Sequence, residues 1–172
     1  MQKPYDEIGN IHDYLLMDSE TFQLYSKEEF ADENIRDRLI PIDKEISELI
    51  VKFNKYGFTT EFSCIGGDVE ITDDGGVAYN APYIQLSIIS VEKLESIFKT
   101  IINNIEYSKW IRFEFEYRDN GYNICFTTSY TIEDKFLSYD STVDDNEKIK
   151  TQAKLLSKEW VKIMDQMVES IC

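Results

Sequence analysis

WIRFEFEYRDNGYNICFTTSY, residues 110–130, decides the fold class. Trp110 to Tyr117 and Tyr122 to Tyr130 form two strands around Asp119-Asn120-Gly121. An Asn-Gly step between strands is a strong hairpin signal, because both residues tolerate positive φ. Just upstream, Val91 to Asn104 spaces Val91, Leu94, Ile97, Phe98, Ile101 and Ile102 as one face of a helix. Before that, Tyr83 to Ile89 alternates, with Ile84, Leu86 and Ile88 on one side and Tyr83, Gln85 and Ser87 on the other. The same order occurs once more further upstream. Ile42, Ile46, Leu49, Ile50 and Phe53 recur at helical spacing, and Gly57, free to enter the left-handed cap conformation, ends that helix. Phe58 to Cys64 then sets Phe58, Thr60, Phe62 and Cys64 against Thr59, Glu61 and Ser63, and a Gly- and Asp-rich loop follows. Helix-strand-strand is thus written twice, at 42–90 and 91–130, without a residue-level repeat. The expected core is a four-stranded, mainly antiparallel sheet with two helices on one face, an α+β fold.

The flanks add a cover and a long helix. From about Asp144, Ile149, Ala153, Leu156, Trp160, Ile163 and Met167 alternate spacings of four and three, and Leu155, Val161, Met164 and Val168 broaden the stripe. Such a seam can pack on the open sheet face, on another helix, or on a second copy as a homodimer. Residues 1–40 mix acids with Tyr5, Tyr14, Phe22, Tyr25 and Phe30, as a segment docking on a core formed elsewhere would. Within it Ser26-Lys27-Glu28-Glu29 is a capping box, opening a short helix that stops near Pro41. The sequence shows no domain boundary, so 1–172 is expected to be one domain: cover 1–40, core 41–130 and C-terminal helix 144–172.

Charge narrows the partners. Acidic residues number 33 against 18 basic ones, a formal net charge of −15, which opposes direct binding to nucleic acid or to an anionic membrane. It suits a basic protein partner, or simply solubility. The acids gather in two loops. Residues 61–74 hold Glu61, Asp68, Glu70, Asp73 and Asp74 with no Lys or Arg; residues 131–147 hold Glu133, Asp134, Asp140, Asp144, Asp145 and Glu147 against Lys135. Asp68, Glu70, Asp73 and Asp74 do not reproduce the twelve-residue calcium loop, so no metal is expected there. The three cysteines, Cys64, Cys125 and Cys172, cannot all pair within the chain. With an N-terminus lacking a basic and then apolar leader, and no apolar run long enough to span a bilayer, this predicts a reducing cytoplasm.

Chemistry has few places to sit. His12 is the only histidine, which disfavours Ser-His-Asp or Cys-His catalysis, and neither a phosphate-cradling Walker sequence nor a dinucleotide glycine fingerprint occurs. Glu114 and Glu116 share a strand face with Arg112, their natural neutralising partner. The most distinctive run is Gly57-Phe58-Thr59-Thr60-Glu61-Phe62-Ser63-Cys64-Ile65-Gly66-Gly67, a Ser-Cys pair at a strand end where two glycines let backbone amides approach an anion or small ligand. Alternation puts Cys64 with Phe58 and Phe62, as a small buried hydrophobe or a ligand-touching thiol, and turns Ser63 the other way for a polar contact. Cys125 alternates away from Ile124 and Phe126, toward the second sheet face.

This run resembles small proteins of bacteriophages and prophages in which a helix is followed by Gly, an aromatic residue, Thr and then Ser-Cys-x-Gly. More distantly it is similar to the Thr-Thr-Ser-Ser-Cys-x-Gly stretch of the wybutosine-synthesising tRNA methyltransferases. An extra residue here separates the Thr pair from Ser-Cys, and Gly67 stands where Arg or His is often found. The resemblance covers about a dozen residues and the following strand, and implies a phage-like origin more than an activity.

Three functions follow as expectations. The first is a non-enzymatic, cofactor-free binding protein that inhibits a host defence or nucleic-acid-processing protein, with Glu61, Asp68, Glu70, Asp73, Asp74, Asp140, Asp144 and Asp145 meeting a basic site. The second is sequestration of a nucleotide-like molecule by Ser63, Cys64, Gly66 and Gly67, with Arg112 for its phosphate. The third, an RNA-modifying methyltransferase-like enzyme, conflicts with the charge. The second sheet face would show Tyr83, Gln85, Ser87, Trp110, Arg112, Asn123, Thr127 and Ser129, as a pocket or an interface if the long helix leaves it uncovered.

Overall fold

A computed structural model of the chain describes residues 13–26, 33–71, 77–87, 90–118, 121–130 and 145–171. Its N-terminal part forms a small sheet, with Met17 in the core and Phe22 and Leu24 packed against it. Strand β1 (Tyr14–Asp18) lies between β2 (Leu24–Tyr25) and β3 (Leu39–Asp43), antiparallel to both. The turn after β1 is organised by Asp18, whose carboxylate accepts from the amides of Glu20 (2.8 Å) and Thr21 (3.3 Å) and from Arg38 Nη2 (2.9 Å). The Glu20 amide above all, then the Thr21 amide and the Arg38 charge, hold this carboxyl below the usual range against the opposing pull of burial.

Pro41 does not follow a helix. It stands opposite Leu16 within β3, an outer strand of its sheet, where a missing amide need not break the ladder. The helix expected after Ser26 falls on residues 27–32, outside the described ones, and a 3-10 turn at Glu33–Arg38 leads into β3. Ile42 is likewise a strand residue, paired with Leu15. Helix α1 (Ser47–Lys55) begins after a second 3-10 turn at Lys44–Ile46. Ile46, Leu49, Ile50 and Phe53 are buried as their spacing requires. Gly57, at φ +80°, ends the helix with its N–H on Asn54 O while the Phe58 N–H reaches Phe53 O, the paired bonds of a glycine-terminated helix.

The remaining elements are β4 (Thr59–Cys64), β5 (Val69–Ile71), β6 (Val77–Tyr79), β7 (Tyr83–Ser87), α2 (Val91–Asn103), α3 (Ile105–Trp110), β8 (Ile111–Arg118), β9 (Gly121–Thr128) and α4 (Asp145–Ile171). The main sheet is antiparallel throughout, in the order β4-β7-β9-β8. Each helix-strand-strand unit supplies one adjacent pair of strands, and the pairs join along β7 and β9. Ser90 caps α2, and Asn104 caps the unanticipated α3 by accepting from the Glu106 and Tyr107 amides.

Ile84, Leu86, Ile124 and Phe126 point from the two central strands into one core with Phe53 of α1, Ile97 and Ile101 of α2, and Leu156, Trp160, Met164 and Val168 of α4. The long helix therefore joins the others beside α1, α2 and α3. Its whole seam, from Ile149 to Met167, is buried within the chain, while Leu155 on the broader stripe is 55% exposed. The Gly- and Asp-rich loop contains the small β5–β6 hairpin, fixed to α4 by a 2.8 Å hydrogen bond between the hydroxyls of Tyr79 and Ser157. Among the described residues no helix is long and apolar enough to cross a membrane.

Candidate binding surfaces

A bulge reverses the expected facing of the Ser-Cys pair. Thr60 pairs with Leu86 and Phe62 with Gln85, so Glu61 is an extra residue in β4. Beyond it, Phe62 and Cys64 stand opposite Gln85 and Tyr83 on the face away from the core, and Ser63 stands opposite Ile84 on the core side. Phe62 is 53% exposed, where strict alternation would have hidden it.

The Ser63–Gly67 turn is closed upon itself. The Ile65 amide donates to Asp43 Oδ2 (2.9 Å), the Gly66 amide to Cys64 Sγ (3.3 Å) and the Gly67 amide to Asn80 O (2.9 Å). Gly66, at φ +60°, is pressed against the backbone of Asn80, Ala81 and Pro82, and Gly67 lies on Lys154 and Ser157 of α4. The glycines thus allow close packing of the chain against itself, and the amides expected to meet an anion already have acceptors. Burial pushes the half-buried Cys64 thiol up, and the Asp43 and Asp68 charges add to this against the Gly66 amide. A thiol so held stays protonated near neutral pH and is a poor nucleophile.

On the sheet face away from the core, side chains form rows. One runs Cys64, Tyr83, Thr127, Arg112; the next runs Phe62, Gln85, Cys125, Glu114. Arg112 and Cys64 are therefore on opposite edges, three strand spacings or about 14 Å apart, and the structure does not bring Arg112 to the Ser63–Gly67 turn. Arg112 Nη2 instead meets Glu114 Oε1 at 2.5 Å. Glu61 is engaged in the sheet, accepting from Ser87 Oγ and from Asn123 Nδ2 (2.8 Å). Gln85 is 7% exposed, and its Nε2 has no partner among the described residues. Tyr83, Gln85, Ser87, Arg112, Asn123 and Thr127 lie on this face as expected. Trp110 does not: it closes α3, is buried with the helices and donates to Glu106 Oε1 at 2.9 Å. Ser129 lies past the end of β9.

Of the acids expected to meet a partner, Asp68 is half-buried just before β5, Glu70 is exposed within it, and Asp145 opens α4. Asp73, Asp74, Asp140 and Asp144 lie outside the described residues, as does His12. Among the described residues no three His, Cys, Asp or Glu side chains converge as metal ligands.

Sequence reasoning missed the outer edge of β8. This strand ends the sheet order, and Arg112, Phe113, Glu114 and Phe115 are all exposed in succession, on both faces. Phe98 of α2 packs on Phe113 and Phe115, with ring centroids 4.8 and 5.6 Å away. Phe113 is nevertheless 36% exposed, Phe115 52%, and Ile102, one helical turn beyond Phe98, 73%. The available signal was the Phe-Glu-Phe alternation, but which strand lay outermost depended on a sheet order not written in the chain. The sequence matches no protein-family model, no curated protein and no solved structure. Any functional reading rests on these surfaces.

Proposed function

We propose that the chain is a non-catalytic binding protein that inhibits a positively charged protein partner, and that the partner adds an extended segment to the edge of β8. The supporting observation is the exposed run Arg112–Phe115 on an outer strand of eight residues, whose outward N–H and C=O groups meet no described strand. An edge of this length invites pairing unless it is protected. Strand addition takes its affinity from main-chain hydrogen bonds and its specificity from alternate side chains. A docked segment would lay apolar side chains over Phe113, Phe115 and Ile102 and turn the others toward Arg112 and Glu114. The net charge of −15 supplies long-range attraction to a cationic partner and sets no register. A phage-encoded inhibitor of a host protein that handles nucleic acid fits this balance, since such a target carries a basic site.

Selection of random peptides displayed against the whole chain tests the reading. Enrichment of Lys- and Arg-containing segments with alternating aromatic or β-branched residues is expected, with affinity falling as salt rises. Phe115→Asp should weaken these peptides at least about tenfold, the loss typical of an interface anchor. Peptides that bind this variant as well as the original chain, or that ignore salt, would sink the proposal.

A further inference from the structure

We infer that the cleft between the ends of α1 and α4 and the first turns of α2 is a binding site for a small hydrophobic carboxylate. The cleft encloses about 440 Å³, within the range of small-molecule sites. Its floor is apolar, formed by Phe53, Phe58, Val168 and Ile171. Phe53, Phe58 and Val168 belong to the core and are at most 5% exposed, so they form a fixed base, and the apolar surface open to a ligand comes from Tyr56, 37% exposed, and the half-buried Ile171.

Among the described residues one cation, Lys93, and one carboxylate, Glu92, line the cleft. The Lys93 Nζ donates to the carbonyl of Tyr56, at the end of α1, and stands 5.8 Å from the centre of the Phe58 ring. Gly57 makes that position possible, since a Cβ there would occupy the space of the ammonium. Among the described residues Lys93 has no ion pair, although acids outnumber bases by 33 to 18 in the chain. The neighbouring Glu92 is engaged with the helix cap, taking a 2.7 Å hydrogen bond from Ser90 Oγ. An ammonium held by a carbonyl dipole and a ring face exchanges these for a carboxylate readily, because a charge-assisted hydrogen bond is the stronger interaction. The positive end of the α2 dipole favours an anion there, against the negative C-terminal ends of α1 and α4 that also border the cleft. A monoanion with an apolar body matches one ammonium over an apolar floor.

Isothermal titration with hexanoate, octanoate, decanoate and phenylacetate, each beside its matched primary alcohol and amine, tests the assignment on the full chain. The acids should bind at least about tenfold more tightly than the alcohols, a ratio in line with one hydrogen bond to a charged group, and the amines not at all. Lys93→Met should remove the acid-over-alcohol ratio while leaving alcohol binding in place. Ser96→Trp, at a half-buried lining position, should block both while the melting temperature stays near that of the original chain. Equal binding of acids and alcohols, acid binding that survives Ser96→Trp, or no heat with any probe would each overturn the assignment.

Discussion

Gly66 and Gly57 both sit at positive φ, at +60° and +80°, yet they meet different neighbours. A side chain at Gly57 would meet the far end of Lys93, which can swing aside; one at Gly66 would meet the backbone of Asn80, Ala81 and Pro82, which cannot. Gly57→Ala should therefore cost only the left-handed strain, about 1–2 kcal/mol. Gly66→Ala should add an overpacking cost of about 1–3 kcal/mol to that strain. Urea unfolding of the two variants checks the order, and equal midpoints would contradict it. The contrast also shows why Gly57 was legible in sequence while Gly66 was not. A helix terminator declares itself by its place in a local pattern, whereas Gly66 is dictated by a segment some fifteen residues on that folds back over it.

At the scale of elements, α1 is tied to α4 by Lys52, whose Nζ meets Asp165 Oδ1 at 2.5 Å and Glu169 Oε1 at 2.7 Å. The Asp165 hydrogen bond first, then that of Glu169, raises the lysine from 10.5 to about 12. A group whose pKa is raised by folding contributes fully below its unfolded value and loses that contribution as pH climbs through the folded one. Lys52→Met should thus lower stability by about 1 kcal/mol at neutral pH, the scale of a partly exposed ion pair, and the deficit should shrink toward pH 12. Thermal unfolding of both proteins across that interval checks it; a deficit unchanged by pH would remove the bridge as its cause. The helices on either side of this bridge were legible because 3.6-residue periodicity repeats over several turns, as Leu156, Trp160 and Ile163 show. The β1–β3 sheet was not, because β1 and β3 have five residues each and β2 only two, and Pro41 argued for a helix end. Nor was the bulge at Glu61, which leaves no mark in the alternation until its partner β7 is known. The candidate site suffered most from that one residue, since it turned Phe62 and Cys64 out and Ser63 in.

For the molecule as a whole, salt acts on folding and on capture in opposite directions. With a net charge of −15, most long-range pairs of charges on the folded surface repel, and compaction brings them together. Screening shortens to about 10 Å at 0.1 M salt, which relieves this repulsion more than it weakens contact pairs such as Lys52–Asp165. The melting temperature should therefore rise between low and moderate ionic strength, by a few degrees for a change of about 1 kcal/mol. The same screening should loosen any cationic segment held at β8. A complex that falls apart in salt while the chain itself becomes harder to melt has lost its electrostatic attraction, not its fold. A melting temperature that fell with salt would mean that local ion pairs outweigh the net charge, and salt-sensitive capture would then no longer separate attraction from unfolding.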